Sequence, residues 1–423
     1  MTKKVLKSYA ELVAKVGANV QNNQEVIINA SVDQVEFVSL VVEECYKCGA
    51  KSVTVDWATP PAILKSIVKY ETVETLAEVP NWKIEKIKHQ VNTLPARIHI
   101  MSSAPDAMKG IDQAKLAKSR MMSYPIIKPF QDELNNKYQW TIVAVPSVEW
   151  AKKVFPDLPK KAAVDSLWEA ILTTARVTSD PIKAWDLHNK NLLERCNYLN
   201  SLNIDYLEYK SSNGTNFKVG LMDQSLWCGG GETTLGGVYF NPNMPTEECF
   251  TSPKKGVAEG KVVATKPLSY NGELIENFYF VFKEGKVVEC HAEKGEELLK
   301  QMVSMDEGAA YLGECALVPF ESPVNKTGIL FYNTLFDENA VCHFAIGRGF
   351  TDCIKDFSKY TNKEMEEMGL NQSMIHVDFM IGSSDLSIDA YTKDGKKVSI
   401  FKDGTWNFNS FIIKILKNCL NYI

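Results

Sequence analysis

The chain has 423 residues, 45% of them hydrophobic and 23% charged, with a formal net charge of -5. At about 150 residues per domain this length corresponds to two or three domains, with ample apolar material for a core. The mildly acidic balance and the absence of a long basic stripe exclude a nucleic-acid footprint, and ten scattered cysteines read as reduced thiols of a cytoplasmic protein, not as a disulfide framework.

The opening MTKKVLKSYAELVAKVGANV has the spacing of an amphipathic helix ending at Gly17 and lacks the continuous apolar run of a secretory signal. EVIINAS reads as a strand, and Ser31 with Gln34 as a capping box that opens the next helix. That helix carries Val35, Val38, Val41 and Cys45 and is ended by Gly49. Cys45 and Cys48 form a lone C-x-x-C with no second pair at zinc-ribbon spacing, so they are read as packing residues. SVTVDW, ARIHIMSS and QWTIVAVP follow as strands, with helical stretches near 105–119, in VEWAKKVF, and over 162–177 and 181–200. This alternation predicts a parallel sheet flanked by helices. No glycine-rich phosphate loop follows any of these strands, which gives a nucleotide site no support.

From about Ile204 the texture changes to short strands and tight turns. Asn213-Gly214, Glu284-Gly285, Asp394-Gly395 and Asp403-Gly404 each sit between strand-like runs, a hairpin signature. The expected architecture is therefore an α/β N-terminal domain with a parallel sheet, residues 1–187, and an α+β, mainly antiparallel C-terminal domain, residues 188–423. The tail at 410–423 is amphipathic but shorter than the roughly 20 apolar residues that span a bilayer, so it is read as a packing or interface segment and no membrane contact is expected.

The chemistry concentrates in the second half. Asp337 and Glu338 precede His343 in a segment otherwise apolar, where an uncompensated carboxylate costs several kcal/mol. His376 and Asp378 stand two apart in a β-like run, which turns both to one face, where they can clamp a metal, act as an acid–base pair or form a structural hydrogen bond. Glu247 and Glu248 lie in NPNMPTEECFTSP, and Glu314 lies between Gly313 and an apolar run. Three of these candidates have a cysteine neighbour, Cys249, Cys315 and Cys342; on an extended chain the thiol then faces away from the carboxylate or imidazole. Glu248, Glu314, Glu338 and Asp378 together carry the charge that two divalent cations would neutralise, a balance that fits a two-metal hydrolytic centre. A carboxylate–imidazole donor set suits zinc, cobalt, manganese or magnesium. His89, His99, His188 and His291 lack comparable company and are read as structural or surface residues.

NMPTEECFTSP, ATKPLSYNG, LGECALVP, NTLFDENAVCHFAIG and HVDFMIGSSDLSIDA, in that order, resemble the bacterial metallo-aminopeptidases of the aminopeptidase T, aminopeptidase S and PepS type. VEWAKKVFP and DPIKAWDLH extend the resemblance into the first half. It implies a C-terminal catalytic domain, a homodimer with an enclosed cavity, and two divalent ions, zinc or cobalt foremost, that serve removal of N-terminal residues from short peptides. Carried over by residue, the metal positions are Glu248, Glu314, His343 and Asp378, with Glu314 as the bridge, His376 as ligand or close neighbour, and Glu338, from the motif that carries His343, as a further metal position. Glu314 and His376 take the catalytic roles in this expectation.

One departure stands out. The family typically carries a tyrosine seven residues after the motif histidine, where this chain has Phe350; Arg348 also replaces a small residue. Loss of a hydroxyl that could donate to an oxyanion predicts slow turnover. The rival readings are a weakened or inactive metal-binding homologue that binds peptides, and a different two-metal amidohydrolase.

Overall fold

A computed structural model describes residues 1–408, so the tail at 410–423 lies outside the described residues. The chain forms two compact units. One comprises Met1–Asn189, Gly231–Thr246 and Asn271–Glu273; the other comprises Lys190–Gly230, Glu247–Tyr270 and, among the described residues, 274–408.

In the first unit four strands pair in parallel, in the order Ser52–Trp57, Glu25–Ala30, Ala96–Met101, Trp140–Ala144. The consecutive Val26, Ile27 and Ile28 are all buried, as a strand covered on both faces requires. The opening helix, Lys3–Leu12, runs into a π-helical turn that stops at Gly17, as its spacing predicts. The helix Val35–Lys47 buries Phe37, Val38, Leu40, Val41 and Cys45 but leaves Val35 exposed. Gly49 ends it at φ +95°, a conformation glycine adopts without strain.

Two expectations in this unit are corrected. Ser31 and Gln34 form no capping box: Ser31 heads a short 3₁₀ turn without a side-chain bond, and the Gln34 carboxamide donates to the Pro146 carbonyl at 3.3 Å. The stretch near 105–119 is not one helix. The helix runs over Gln113–Leu134, starting where the Asp112 carboxylate accepts the Lys115 amide at 2.9 Å and continuing past Pro125 and Pro129. Helices Pro61–Tyr70, Val73–Ala77 and Asn81–Thr93 fill the connection between the second and third strands in sequence. Lys160–Thr174 and Pro181–Ser201 follow close to the expected ranges.

The second unit is built on antiparallel pairing, as the hairpin signatures predict. Asn213-Gly214, Glu284-Gly285, Asp394-Gly395 and Asp403-Gly404 all join paired strands, and both residues of the second and fourth turns have positive φ. These strands belong to a nine-stranded sheet. A smaller sheet has the order His376–Met380, His343–Gly347, Leu312–Leu317, Cys249–Thr251, antiparallel throughout. Phe344, Phe379, Cys315 and Leu317 of this small sheet join a core that includes Tyr209, Phe217, Phe278, Phe280 and Phe282 of the larger one. The Phe344 ring lies 5.0 Å from that of Tyr209 and 5.3 Å from that of Phe217, which fixes the strand that begins at His343. Among the described residues no helix is long and apolar enough to cross a membrane.

Gly347 closes that strand at φ +100°, and a Cβ there would collide with the Ile375 carbonyl. Gly347→Ala is expected to cost about 1–3 kcal/mol from the backbone strain alone. An unchanged urea midpoint for the variant would refute this.

Candidate metal centre

Period-two alternation sorts the side chains of the small sheet. Phe344, Ile346, Cys315, Leu317, Val377 and Phe379 enter the apolar core. Glu314, His343, His376 and Asp378 are the alternate residues of the same strands. Glu314 and Asp378 both pair with Ala345, one from each side, while His376 pairs with Gly347 and His343 with Ala316. His343 also pairs with Met380 on its other side; the remaining partners on this face are alanines and a glycine, which leave room between the charged groups. Glu248 immediately precedes the edge strand Cys249–Thr251.

The polar atoms converge. His343 Nε2 lies 3.2 Å from Glu248 Oε2, and His376 Nε2 lies 3.1 Å from Glu314 Oε2 and 3.3 Å from Asp378 Oδ1. Two trios each bring their donor atoms within 4.8 Å of one another: Glu248, Glu314 and His343, and Glu314, His376 and Asp378. Glu314 belongs to both. His376 Nδ1 faces the Arg348 carbonyl at 2.7 Å and His343 Nδ1 faces the Val341 carbonyl at 3.3 Å. A carbonyl only accepts, so each Nδ1 carries the hydrogen and each Nε2 is turned to the carboxylates.

Electrostatics follow from burial. Glu248, Glu314, His343 and Asp378 are all buried, whereas Glu338 and His376 are half-buried. Burial pushes the Glu314 carboxyl up to about 7, against the pull of the His376 hydrogen bond. Burial disfavours the His343 cation, but the Glu248 carboxylate together with the charges of Glu314 and Asp378 raises the imidazole to about 9. His376 is likewise raised well above its usual value, by Asp378 and then Glu314, despite burial. Asp378 moves the other way: burial raises it, yet the charge of His376 holds it below the ordinary carboxylate range. His343 Nε2 and Asp378 Oδ1 are buried without a hydrogen bond of acceptable geometry. A buried set of carboxylates and imidazoles with unsatisfied atoms pointing inward is the donor chemistry of a divalent cation, and these residues fit one.

Glu338 stands outside both trios. Burial, the charges of Asp378, Glu248 and Glu314, and a hydrogen bond with Asp378 hold its carboxyl well above the usual range. Its neighbour Asp337 serves the loop before it, accepting the Phe331 and Asn333 amides at 2.9 and 3.0 Å. Glu247 is buried but belongs to neither trio. Cys249, Cys315 and Cys342 are buried in the apolar core, where Cys315 meets the Tyr209 hydroxyl at 2.9 Å and Cys342 donates to the Val318 carbonyl at 3.2 Å. Cys45 and Cys48 belong to no ligand group among the described residues. His291 has an acidic partner that its sequence spacing did not suggest, Glu296 at 2.5 Å, and His89 meets Glu25 at 2.8 Å; both histidines are exposed. His188 is buried against the Thr246 carbonyl at 2.7 Å, and His99 sits in a parallel strand with its pKa lowered by burial.

Phe350 lies at the site. Its ring centroid is 4.7 Å from that of His376 and 5.6 Å from that of Phe250. The Arg348 side chain is exposed, and this residue acts at the site through its carbonyl. Neither that carbonyl nor Phe250 was marked by the sequence; a main-chain acceptor carries no residue-type signal.

Residues 2–406 match the family described as thermophilic metalloprotease (M29). Aminopeptidase AmpS of Bacillus subtilis is 42% identical over 407 residues, covering 95% of this chain and 98% of that protein. Aminopeptidase T of Thermus thermophilus is 38% identical over 406 residues, covering 96% and 98%. The solved structure of wild-type AmpT from Thermus thermophilus superposes with a TM-score of 0.86 at 37% identity, covering 96% of this chain and all of that one. With the fold, the carboxylate–imidazole cluster and these relatives in agreement, the chain is a metal-dependent aminopeptidase and belongs to the M29 metalloprotease family.

Proposed function

We propose that the unit beginning at Lys190 is catalytic and removes N-terminal residues from short peptides at a two-metal centre. The observation that carries this reading is the sharing of Glu314 by two ligand trios. Glu248 and His343 would complete one metal position, and His376 and Asp378 the other, with Glu314 spanning both. Zinc and cobalt suit this mixture of oxygen and nitrogen donors best, with manganese or magnesium next. When bound, such ions would supply Lewis acidity, making a water more acidic and polarising the scissile carbonyl.

The protein's own groups divide the remaining work. With Nε2 engaged on a metal, His376 would keep only its Nδ1 hydrogen, which the Arg348 carbonyl holds. Glu338, outside the trios and with its carboxyl pushed above the ordinary range by burial and its acidic neighbours, is the group we assign to pass a proton to the leaving amine. A carboxylate of the cluster would pair with the free α-amino group, which restricts cleavage to the first residue. The nine described cysteines are free thiols, which supports a cytoplasmic setting; a homodimer belongs to the same reading through the resemblance.

Aminoacyl-anilides should be hydrolysed in the presence of zinc or cobalt, while their N-acetylated counterparts are left intact. Cleavage of both sets would favour the amidohydrolase reading, and cleavage of neither an inactive homologue. Glu314→Gln should abolish turnover and lower bound metal with the fold retained; full metal content by elemental analysis would reject the bridging role. Phe350 favours a slow enzyme, because its ring offers no donor beside His376. Phe350→Tyr should raise kcat by about ten-fold or more with KM little changed, given the about 10²–10³ that one oxyanion donor can contribute. Arg348→Ala, which keeps the carbonyl, should leave kcat near wild type. The reverse pattern would identify the guanidinium as the donor.

A further inference from the structure

Asn339 lies in the 3₁₀ turn Glu338–Ala340 and is fully buried. Its carboxamide bonds in three directions. Oδ1 accepts the Glu247 amide at 2.7 Å, and Nδ2 donates to the Leu335 carbonyl at 2.9 Å and to Glu338 Oε1 at 3.4 Å. The orientation is fixed by its surroundings: a flipped amide would set Nδ2 against a main-chain N–H and Oδ1 against a main-chain carbonyl.

We infer that Asn339 is a positioning residue of the metal centre, tying the segment that carries Glu248 to the turn that carries Glu338. The inference rests on the two-metal reading above. The Glu247 amide is one residue from Glu248, and it is reached across 92 positions of sequence by a side chain adjacent to Glu338. One planar group therefore sets the spacing of two acids that no strand pairing links. Asparagine suits the position chemically. A carboxylate there would keep the bond from the Glu247 amide, lose both donations, and add a further negative charge beside Glu248, Glu314, Glu338 and Asp378. Glu338 and the Glu248–His343 pair would then each lose a fixed wall.

The test uses the full chain, stripped with chelator and reloaded with cobalt(II), with affinity read by competition against a chromophoric chelator. Asn339→Asp and Asn339→Ser should bind at least one cobalt about 10–100-fold more weakly, the range seen when a group supporting metal ligands is lost. In the reloaded variants kcat should fall by a larger factor than KM rises. Asn339→Asp is nearly isosteric and is the variant to rely on if the smaller side chain compromises folding. Wild-type cobalt affinity in a folded variant, even with a lowered melting temperature of the metal-free form, makes Asn339 a purely structural residue and overturns the inference alone. A wild-type chain that takes up no cobalt overturns the two-metal reading and this inference with it.

Discussion

Four carboxylates gathered in one largely buried cluster set the terms for everything else in this protein. At an effective dielectric near 20, two like charges about 4 Å apart repel by roughly 4 kcal/mol, and a whole domain is stable by only about 5–15 kcal/mol. Without cations the cluster must relieve that repulsion with protons. The directions of its titrations show how: Glu314 and Glu338 are pushed up towards the neutral acid, His343 and His376 are pushed up towards the cation, and Asp378 stays ionised against His376. A site that holds protons in this way is also one from which divalent cations displace them, so metal loading and proton release are coupled.

The small sheet meets this constraint by separating its two chemistries with the pleat. Cys315 and Phe344 face an apolar core while their chain neighbours Glu314 and His343 face the acids. The thiols, which would favour a different metal chemistry, are thereby kept away from the centre. Aromatic packing of Phe344 on Tyr209, Phe217 and Phe379 anchors the middle strand, so the position of His343 is set by the core behind it. Ala316, Ala345 and Gly347 matter on the other face because they are small.

Sequence carried much of this, for identifiable reasons. The four hairpin turns were legible because Asn-Gly, Asp-Gly and Glu-Gly pairs permit the left-handed backbone that such turns require. The acids and histidines of the cluster were legible because charged groups inside apolar runs need a partner. What escaped had no residue-type signal. The helix Asn81–Thr93 buries none of its side chains and so lacks an apolar stripe, and Gln113–Leu134 passes two prolines that ordinarily mark an end. Ser31 and Gln34 had the letters of a capping box, but Gln34 found a carbonyl 112 residues away. Asn339 reads as an ordinary turn asparagine until the Glu247 amide is seen on its oxygen.

The segment after His343 shows how the cluster can be positioned independently of nearby side chains. Its positioning work is done by the main chain. The Arg348 carbonyl orients His376, the Gly349 amide donates to the Asn371 carbonyl at 2.9 Å, and the Phe350 amide donates to Ser252 Oγ at 2.8 Å. Asn371 adds a second tie by donating to the Gly347 carbonyl at 2.6 Å. None of these bonds depends on which side chain occupies positions 348 and 350. The imidazole therefore keeps its direction whichever side chains stand at these two positions. At Phe350 that side chain is an apolar ring beside His376 and Phe250. The direction of the imidazole is thus written in the backbone, which leaves the side chains at 348 and 350 free to change without disturbing it.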